Sequence, residues 1–273
     1  MNRAGREQAQ AFWEKAQVFQ VWQGQLLAHD GVLSVKLASD FVEAEIEQLT
    51  KIYLGESAGE HYFALHKEFA PDDGQNLREL FSQIPREQLE PVVTALALVN
   101  WHESHPKCSR CGIDTKVVSN GWVRQCPVDG SQHFPRTDPA IIVAVQDRNG
   151  RICLGRQESW PEGRYSNFAG FVEPGETLEA AVIREVEEES GLKVSDIKYL
   201  LSQPWPFPNS IMLAFEAFTD NPEAAKPDGI EIVDLKWFSK AELESAVKSG
   251  EIKLPPKSTV SGRMIAGWLN GQR

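Results

Sequence analysis

The sequence predicts a mixed α/β protein, and three stretches in its second half support that class. The run AIIVAVQD is followed by Asn149-Gly150 and then by RICLGRQ, which is typical of two strands joined by a tight turn. The acidic stretch GETLEAAVIREVEEESGL has the start and stop signals of a helix. The stretch EIVDLKWFSKAELESAV has the pattern of a strand followed by a helix. Strands that alternate with helices favour an α/β arrangement.

The first hundred residues give weaker signals. The stretch AFWEKAQVFQVWQGQLLA fits either a helix or strands, whereas VLSVKL and HYFALH alternate as half-buried strands do. The stretch REQLEPVVTALALVNWH has apolar residues at helical spacing and leads directly into KCSRCG. Between the turn at Asn149-Gly150 and the C-terminus, IKYLLSQPW and SIMLAFEAFT predict two further strands.

The acidic stretch predicts a helix over residues 177–190, because PGE stands near its start and Ser190-Gly191 supplies a stop. At about 3.6 residues per turn, the side chains of Glu185, Glu188 and Glu189 share one face. We expect Ile183 and Val186 to lie on another face, toward the core.

Glutamates crowded onto one helix face need an explanation. Like charges three or four residues apart destabilise a helix by a few tenths of a kcal/mol per pair, and a bound cation reverses that effect. Carboxylate oxygens suit Mg²⁺ or Mn²⁺, which also bind phosphate oxygens. The alternative is an ordinary solvated acidic face.

The surrounding residues form the pattern G-x5-E-x7-R-E-V-x-E-E-x-G-L over residues 170–192, which resembles the signature of the Nudix hydrolases at every defined position. In that family a strand, a loop and a helix hold divalent metals against a nucleoside diphosphate linked to another group, and water attacks one phosphorus. The resemblance implies a Nudix α/β/α sandwich with a mixed sheet at residues 136–273. We expect a zinc-ribbon-like segment at 101–135 and an N-terminal α+β domain at 1–100 to precede it.

The resemblance also assigns roles to individual groups. It implies that the metal ligands are the carbonyl group of Ala169 and the carboxylates of Glu185, Glu188, Glu189 and Glu231. Glu188 acts as a ligand or a base, and Arg184 completes the catalytic set by orienting a glutamate through charge-assisted hydrogen bonds. Glu176 is expected to be structural. Without the resemblance, Glu231 has the character of an exposed strand residue.

Residues 202–210, SQPWPFPNS, alternate prolines with aromatic residues in a way that excludes a helix. A proline-rich loop that packs its aromatic side chains into the core is one interpretation. The stretch also resembles the array of the NADH pyrophosphatases, a Nudix branch of which some members remove NAD caps from RNA. That resemblance implies a dinucleotide site lined by Gln203, Pro204, Trp205, Pro206, Phe207, Pro208, Asn209 and Ser210, where aromatic surface can stack on a base or a nicotinamide ring.

Three more residues are expected at the substrate by resemblance. Phe171 and Phe134 occupy positions where the family places stacking aromatic residues, and Phe134 is expected to act from the partner subunit of a homodimer. Ser261, in LPPKSTVSGRM, stands where the family usually has alanine and would offer backbone contacts. The alternative for this last stretch is a capped terminal helix that begins at Ser258 or Thr259.

Cys108-x2-Cys111 followed by Cys126 outlines a zinc ribbon with thiolates on two turns. The fourth ligand departs from the family pattern, because the second turn contains Asp129 where a cysteine is expected. Asp129 could bind through oxygen, His133 could supply nitrogen, or the metal could be absent. The remaining thiol, Cys153, is predicted to be a buried strand residue.

Composition limits the partners. A formal net charge of −11 over 273 residues argues against a general nucleic-acid coat protein. No run approaches the length of a membrane span, and the first residues lack the apolar stretch of a secretory signal. Together with the spacing of the cysteines, this predicts a cytoplasmic protein with a small-molecule substrate and no membrane partner.

The resulting prediction is a metal-dependent hydrolase that splits the diphosphate of NADH or NAD⁺ into nicotinamide mononucleotide and AMP. NAD-capped RNA is a second candidate substrate with the same bond. Two alternatives are a hydrolase of ADP-ribose or another nucleoside diphosphate derivative, and a non-catalytic module in which the ribbon and the acidic helix bind protein or RNA.

Overall fold

The computed structural model describes residues 1–81 and 83–271, and contacts between residues divide the chain into two units. The N-terminal unit is Met1–Thr137 together with Trp205–Asn209, and the C-terminal unit is Asp138–Pro204 together with Ser210–Arg273. The predicted boundary between residues 100 and 101 remains a prediction. No helix among the described residues is both long enough and apolar enough to span a membrane.

The secondary structure alternates as the sequence predicts in the second half and is mostly β in the first. The helices are α1 (Ala9–Phe12), α2 (Glu43–Ile46), α3 (Leu77–Leu80), α4 (Arg86–Ser104), α5 (Leu178–Ser190), α6 (Lys240–Ser249) and α7 (Val260–Leu269). The strands of the N-terminal unit are β1 (Gln17–Trp22), β2 (Gln25–His29), β3 (Val32–Leu33), β4 (Val35–Leu37), β5 (Thr50–Ser57), β6 (Glu60–His66), β7 (Gly74–Gln75), β8 (Lys116–Val118), β9 (Val123–Gln125) and β10 (Gln132–His133). The later strands are β11 (Asp138–Asp147), β12 (Ile152–Gln157), β13 (Phe168–Phe171), β14 (Ser195–Trp205), β15 (Ser210–Thr219) and β16 (Ile232–Phe238).

The N-terminal unit contains two sheets. The larger has the order β3-β2-β1-β6-β5, with β4 beside β1 and β7 beside β2. Helix α4 packs on this sheet through an apolar face that includes Val92, Leu96 and Val99, all without exposed surface. The ambiguous stretch at residues 11–28 begins with the end of α1 and then forms β1 and β2, and the predicted helix before KCSRCG is confirmed as α4. The smaller sheet, β10-β9-β8, is the three-stranded ribbon that follows α4.

The sheet of the C-terminal unit is mixed, with the order β14-β15-β11-β12-β16 and with β13 paired to β11. Strand β11 runs parallel to β15 and antiparallel to β12, and the predicted turn at Asn149-Gly150 joins β11 to β12. Successive residues of a strand point to opposite faces. Ile141 and Val143 accordingly pack under α5, whereas Ile142 and Ala144 pack under α6 and α7. Helices on both faces of one mixed sheet make the predicted α/β/α sandwich.

Candidate active site and metal centre

Helix α5 begins and ends where its local sequence requires. The Thr177 hydroxyl accepts a hydrogen bond from the backbone N–H of Ala180 at 3.2 Å, and Gly191 takes a left-handed conformation with φ 66° at the other end. The predicted helix is confirmed, but one prediction about its faces is wrong. Ile183 is 42% exposed, because the buried stripe runs through Val182, Val186 and Glu189 instead.

Glu189 lies in that buried stripe and is only 3% exposed. Its carboxylate accepts a hydrogen bond from the backbone N–H of Ala169 at 3.3 Å. Burial and, after it, the negative charges of Glu185 and Glu231 together raise its pKa to about 8. Burial also raises the pKa of Glu185, although Arg184 opposes that shift. Ionisation of these carboxyl groups is therefore costly in the absence of a nearby cation, since water stabilises the charged forms poorly here.

Gly170 allows β13 to approach the helix closely. A Cβ atom at this position would lie 2.0 Å from Oε1 of Glu185, so a larger residue would displace that carboxylate. The backbone N–H of the preceding residue, Ala169, donates a hydrogen bond to the carboxylate of Glu189. A ligand role for the Ala169 carbonyl remains a prediction.

Arg184 connects the acidic residues of the signature. Its Nε and Nη2 atoms donate to the two carboxylate oxygens of Glu176 at 2.7 and 2.9 Å, which lowers the pKa of Glu176 to about 2. Its Nη1 atom donates to Glu185 at 2.8 Å and to Glu188 at 3.1 Å, and Nη2 also donates to the Phe171 carbonyl at 2.9 Å. Arg184 thus fixes two glutamates of the helix relative to β13.

The sequence alone gives Glu231 the character of an exposed strand residue. In the structure it is exposed but lies just before β16 and not within a strand. Its backbone N–H donates to Oδ2 of Asp228 at 3.1 Å, and the N–H of Ile232 donates to Oδ1 of Asp228 at 2.8 Å. Asp228 therefore shapes the turn that presents Glu231. Sequence reasoning missed Asp228, although the dipeptide Asp228-Gly229 is itself a turn signal.

The predicted substrate residues are divided between the two units. Gln203, Pro204, Phe171, Ser210 and Ser261 belong to the C-terminal unit. Trp205, Pro206, Phe207, Pro208, Asn209 and Phe134 belong to the N-terminal unit. Phe134 and Phe171 are both largely exposed, as stacking residues need to be.

Gln203 and Ser261 are buried and bonded within the C-terminal unit. Nε2 of Gln203 donates to the carbonyl of Ser258 at 2.9 Å, which leaves its buried Oε1 atom without a protein partner. The Ser261 hydroxyl lies 2.8 Å from that of Ser166 and accepts from Nδ2 of Asn167 at 3.0 Å. Thr259 caps α7, as the alternative interpretation of this stretch predicted.

A second group of candidate ligands lies in the ribbon. The ligand atoms of Cys108, Cys111, Cys126 and Asp129 all lie within 4.8 Å of one another. This spacing and the thiolate-rich donor set fit a tetrahedral zinc ion. Cys153 is distant in sequence from this group and has no exposed surface, and burial raises the pKa of its thiol to about 12. It is the buried strand thiol that the sequence predicts.

The two turns of the ribbon have the same backbone pattern. The N–H of Gly112 donates to the carbonyl of Cys108 in the first turn, and the N–H of Gly130 donates to the carbonyl of Cys126 in the second. Asp129 precedes Gly130 as Cys111 precedes Gly112, so the carboxylate replaces a thiolate at an equivalent place.

Ser131 holds the Asp129 carboxylate. Oδ1 of Asp129 accepts from the backbone N–H of Ser131 at 2.9 Å and from its hydroxyl at 2.6 Å, and these bonds lower the pKa of Asp129 to about 2. Nε2 of His133 lies 3.4 Å from the same hydroxyl. His133 is thus placed next to Ser131, while Asp129 is within the ligand group itself.

Comparisons with known proteins agree with this arrangement. A family model described as the NUDIX domain matches residues 136–257, and one described as the NADH pyrophosphatase zinc ribbon domain matches residues 103–134. The NAD-capped RNA hydrolase NudC of Mycobacterium bovis is 33% identical over 283 aligned positions, which cover 97% of this chain and 90% of that protein. The protein of the same name from Mycobacterium tuberculosis has the same identity and coverage.

A human relative matches a shorter region. The NAD-capped RNA hydrolase NUDT12 of Homo sapiens is 36% identical over 199 positions, which cover 68% of this chain and 43% of that protein. The glutamate signature, the α/β/α sandwich, the cysteine ribbon and the sequence relatives all support the same assignment. The chain belongs to the Nudix hydrolase family, in the branch whose Nudix domain follows an NADH pyrophosphatase zinc ribbon.

Proposed function

We propose that this protein hydrolyses the diphosphate of NADH and NAD⁺ to nicotinamide mononucleotide and AMP, and that NAD-capped RNA is a second substrate. The observation that carries the proposal is the closeness of Glu185, Glu189 and Glu231. Besides burial, the negative charges of Glu185 and Glu231 raise the pKa of Glu189, and that of Glu231 contributes to the raised pKa of Glu185. The names of the relatives, NAD-capped RNA hydrolases, support a substrate that contains NAD.

The same three carboxylates, with Glu188 and the Ala169 carbonyl, are the proposed ligands of Mg²⁺ or Mn²⁺. Oxygen donors of this kind fit either ion, and a buried carboxylate whose main neighbours are other carboxylates needs positive charge nearby. When bound, such an ion neutralises the diphosphate and polarises it toward attack by water.

We propose two roles for the side chains of the protein itself: they position the glutamates of the site and remove a proton from the attacking water. Arg184 holds Glu185 and Glu188 in place through one guanidinium nitrogen, which fixes the distance between the two carboxylates. Glu188 is exposed and therefore accessible to the attacking water, from which we propose that it accepts a proton. Glu176 has a structural role: it holds Arg184 and accepts a hydrogen bond from the backbone N–H of Glu173 at 3.0 Å.

For substrate recognition, we propose contacts from Gln203, from Ser210 and from the aromatic residues of the array that lie between these two in sequence. Phe171 is proposed to contribute a further contact. The unpaired Oε1 atom of Gln203 is an acceptor available to an N–H group of a ligand. NAD-capped RNA contains the same diphosphate, and its use requires that the adenosine 3′ side stay open. Phe134 would contribute from the second subunit of a homodimer.

The ribbon is proposed to hold structural zinc through Cys108, Cys111, Cys126 and Asp129 and to take no part in hydrolysis. Thiolate ligands require a reducing environment, so we also propose that the protein acts in the cytoplasm.

The decisive experiment is chromatographic identification of products after incubation with Mg²⁺ or Mn²⁺ and, separately, NADH, ADP-ribose and a short NAD-capped RNA. Glu185→Gln tests the site, and Glu187→Gln is the matched control because Glu187 is an exposed glutamate of the same helix. We expect mononucleotide from NADH with wild type and Glu187→Gln, and at least about a hundredfold less with Glu185→Gln.

Other outcomes select the alternatives. Faster cleavage of ADP-ribose than of NADH would favour a different nucleoside diphosphate derivative as the substrate. Intact substrates with confirmed metal binding would favour the non-catalytic module. The relative rates on NADH and capped RNA rank those two as substrates.

A further inference from the structure

The segment Trp205–Asn209 carries most of the proline–aromatic array and belongs to the N-terminal unit. We propose that Asn100 of this unit is a positioning residue, which holds the backbone of this segment in the conformation that recognises the dinucleotide. The inference rests on the proposed function, because it takes the segment to be part of the substrate site.

The segment cannot hold its own backbone in place. Pro206 and Pro208 have no backbone N–H, so the chain here offers carbonyl groups with few donors to pair with them. Within the segment, the N–H of Phe207 donates to the carbonyl of Trp205 at 2.8 Å, which does not involve either proline carbonyl. The proline carbonyls therefore need donors from elsewhere.

Asn100 supplies that donor. Its Nδ2 atom lies 3.3 Å from the carbonyl oxygen of Pro206 and 3.5 Å from that of Pro208, so one amide group spans both prolines. Asn100 is on α4, next to the buried Trp101, and α4 is packed on the larger sheet. The donor is thus attached to a rigid element.

The aromatic rings of the segment are held by contacts that do not involve Asn100. Phe207 packs against the core formed by α4 and the larger sheet, and its ring lies 5.0 Å from that of Trp205 in a tilted, edge-on contact. The guanidinium of Arg78 on α3 lies 4.5 Å from the Phe207 ring and 5.4 Å from the Trp205 ring. Ring contacts fix the aromatic side chains, and Asn100 fixes the peptide groups between them.

Packing alone leaves the peptide groups room to move. Pro206, Phe207 and Pro208 form one side of a cavity of about 680 Å³ within the N-terminal unit, and Asn100 and Trp101 line it as well. A segment beside open space can relax into it once its hydrogen bonds are lost. The bond to Asn100 therefore orders the segment before the ligand arrives, which lowers the entropic cost of binding.

The test compares two variants with a matched control. Asn100→Leu keeps a similar volume and removes the donor, and Asn100→Asp places a carboxylate against two carbonyl oxygens. Glu87→Ala changes an exposed residue near the other end of the same helix. For each protein we would measure kcat and KM for NADH, the thermal midpoint, and amide hydrogen exchange in a peptide that spans residues 205–209.

We expect KM to rise roughly threefold to tenfold in Asn100→Leu, as the loss of one net hydrogen bond implies, with kcat within about twofold of wild type. Exchange at the N–H groups of Phe207 and Asn209 should become faster, and Asn100→Asp should show the larger effect on both quantities. Glu87→Ala should match wild type.

Unchanged KM together with unchanged exchange in both Asn100 variants would overturn the inference. Faster exchange with an unchanged KM would also overturn it, since the segment would then be ordered by Asn100 without any benefit to recognition. Failure of the wild-type protein to cleave NADH would instead reject the proposed function. If Asn100→Leu were poorly folded by its thermal midpoint, Asn100→Asp would decide the matter.

Discussion

Glu189 carries its carboxylate in a place where protein interiors rarely tolerate charge. Burial and two other carboxylates raise its pKa to about 8, so at pH 7 the metal-free protein holds Glu189 mostly protonated, whereas the unfolded chain ionises it. This difference costs the folded protein stability. The site is therefore built for a ligand at the expense of stability, as binding sites often are.

This cost predicts that Glu189→Gln stabilises the metal-free protein. In the presence of a chelator at pH 7, the free energy of unfolding should rise by up to about 3 kcal/mol, because the amide is neutral in both states and keeps the bond from Ala169, whereas Glu189 must take up a proton on folding. Mg²⁺ should raise the thermal midpoint of the wild type more than that of the variant, which lacks one of the proposed ligands. Glu187→Gln should resemble wild type, and a variant that is less stable in chelator would contradict the prediction.

His102 illustrates the opposite use of a buried titratable group. Nε2 of its ring is 2.9 Å from the carbonyl of Gly121, and Nδ1 is 3.1 Å from Nη1 of Arg124, which is itself buried. If Nε2 donates to Gly121, Nδ1 accepts from Arg124, so the ring is neutral. Burial lowers its pKa to about 4, with Arg124 acting in the same direction.

A lowered histidine pKa predicts the direction of a pH effect. The unfolded chain binds the proton below pH 6.5 and the folded protein only below about pH 4, so this contribution to stability is present above pH 6.5 and is lost as the pH falls toward 4. The loss amounts to about 3 kcal/mol at most. Urea unfolding at pH 7.5 and 4.5 should show that His102→Gln has a smaller difference between the two pH values than wild type. Equal differences in the two proteins would disprove this account.

At the scale of elements, the ribbon combines two matching turns with mismatched ligands. Carboxylate oxygen is a harder donor than thiolate, and zinc binds the thiolate more tightly in such structural sites. Asp129 should therefore make zinc easier to remove than a fourth cysteine would.

We predict that Asp129→Cys retains zinc longer than wild type during a chelator challenge and that Asp129→Ala loses it faster. Zinc content measured by mass spectrometry at intervals gives the release rates. Asp114→Ala is the matched control, since Asp114 is an exposed carboxylate of the ribbon outside the ligand group. Release from Asp129→Ala at the wild-type rate would show that Asp129 is not a ligand.

The elements also show what could be predicted from sequence. Helix α5, the turn between β11 and β12, and the β16–α6 pair follow from local signals, and all three are present. The parallel pairing of β11 with β15 joins residues about 70 positions apart, so no local pattern encodes it. The exposure of Ile183 depends on where the sheet meets the helix, which helical periodicity alone does not determine.

At the scale of the whole molecule, electrostatics should separate the two proposed substrates. The protein carries a net charge of −11, and RNA carries many more negative charges than NADH. Repulsion at long range weakens as salt shortens the Debye length from about 30 Å at 0.01 M to about 10 Å at 0.1 M.

We therefore predict that the ratio of kcat/KM for NAD-capped RNA to kcat/KM for NADH rises with ionic strength over this range. Proteins that bind RNA through a basic surface show the reverse dependence. Steady-state rates on both substrates at three KCl concentrations and fixed Mg²⁺ would measure the ratio. A ratio that falls with salt would point to a local basic surface that the net charge conceals.

The N-terminal unit combines two stretches of the chain that are far apart in sequence, and this affects how the protein folds during synthesis. Phe207 packs against the core of that unit, yet the ribosome produces it only after residues 138–204 have been added. At about 5–20 residues per second this is a delay of several seconds, during which the apolar surface that receives Phe207 stays uncovered. A fragment that ends at residue 137 lacks Phe207, so this apolar surface would stay uncovered permanently. We therefore expect a protein cut after residue 137 to yield an N-terminal product that is prone to aggregation.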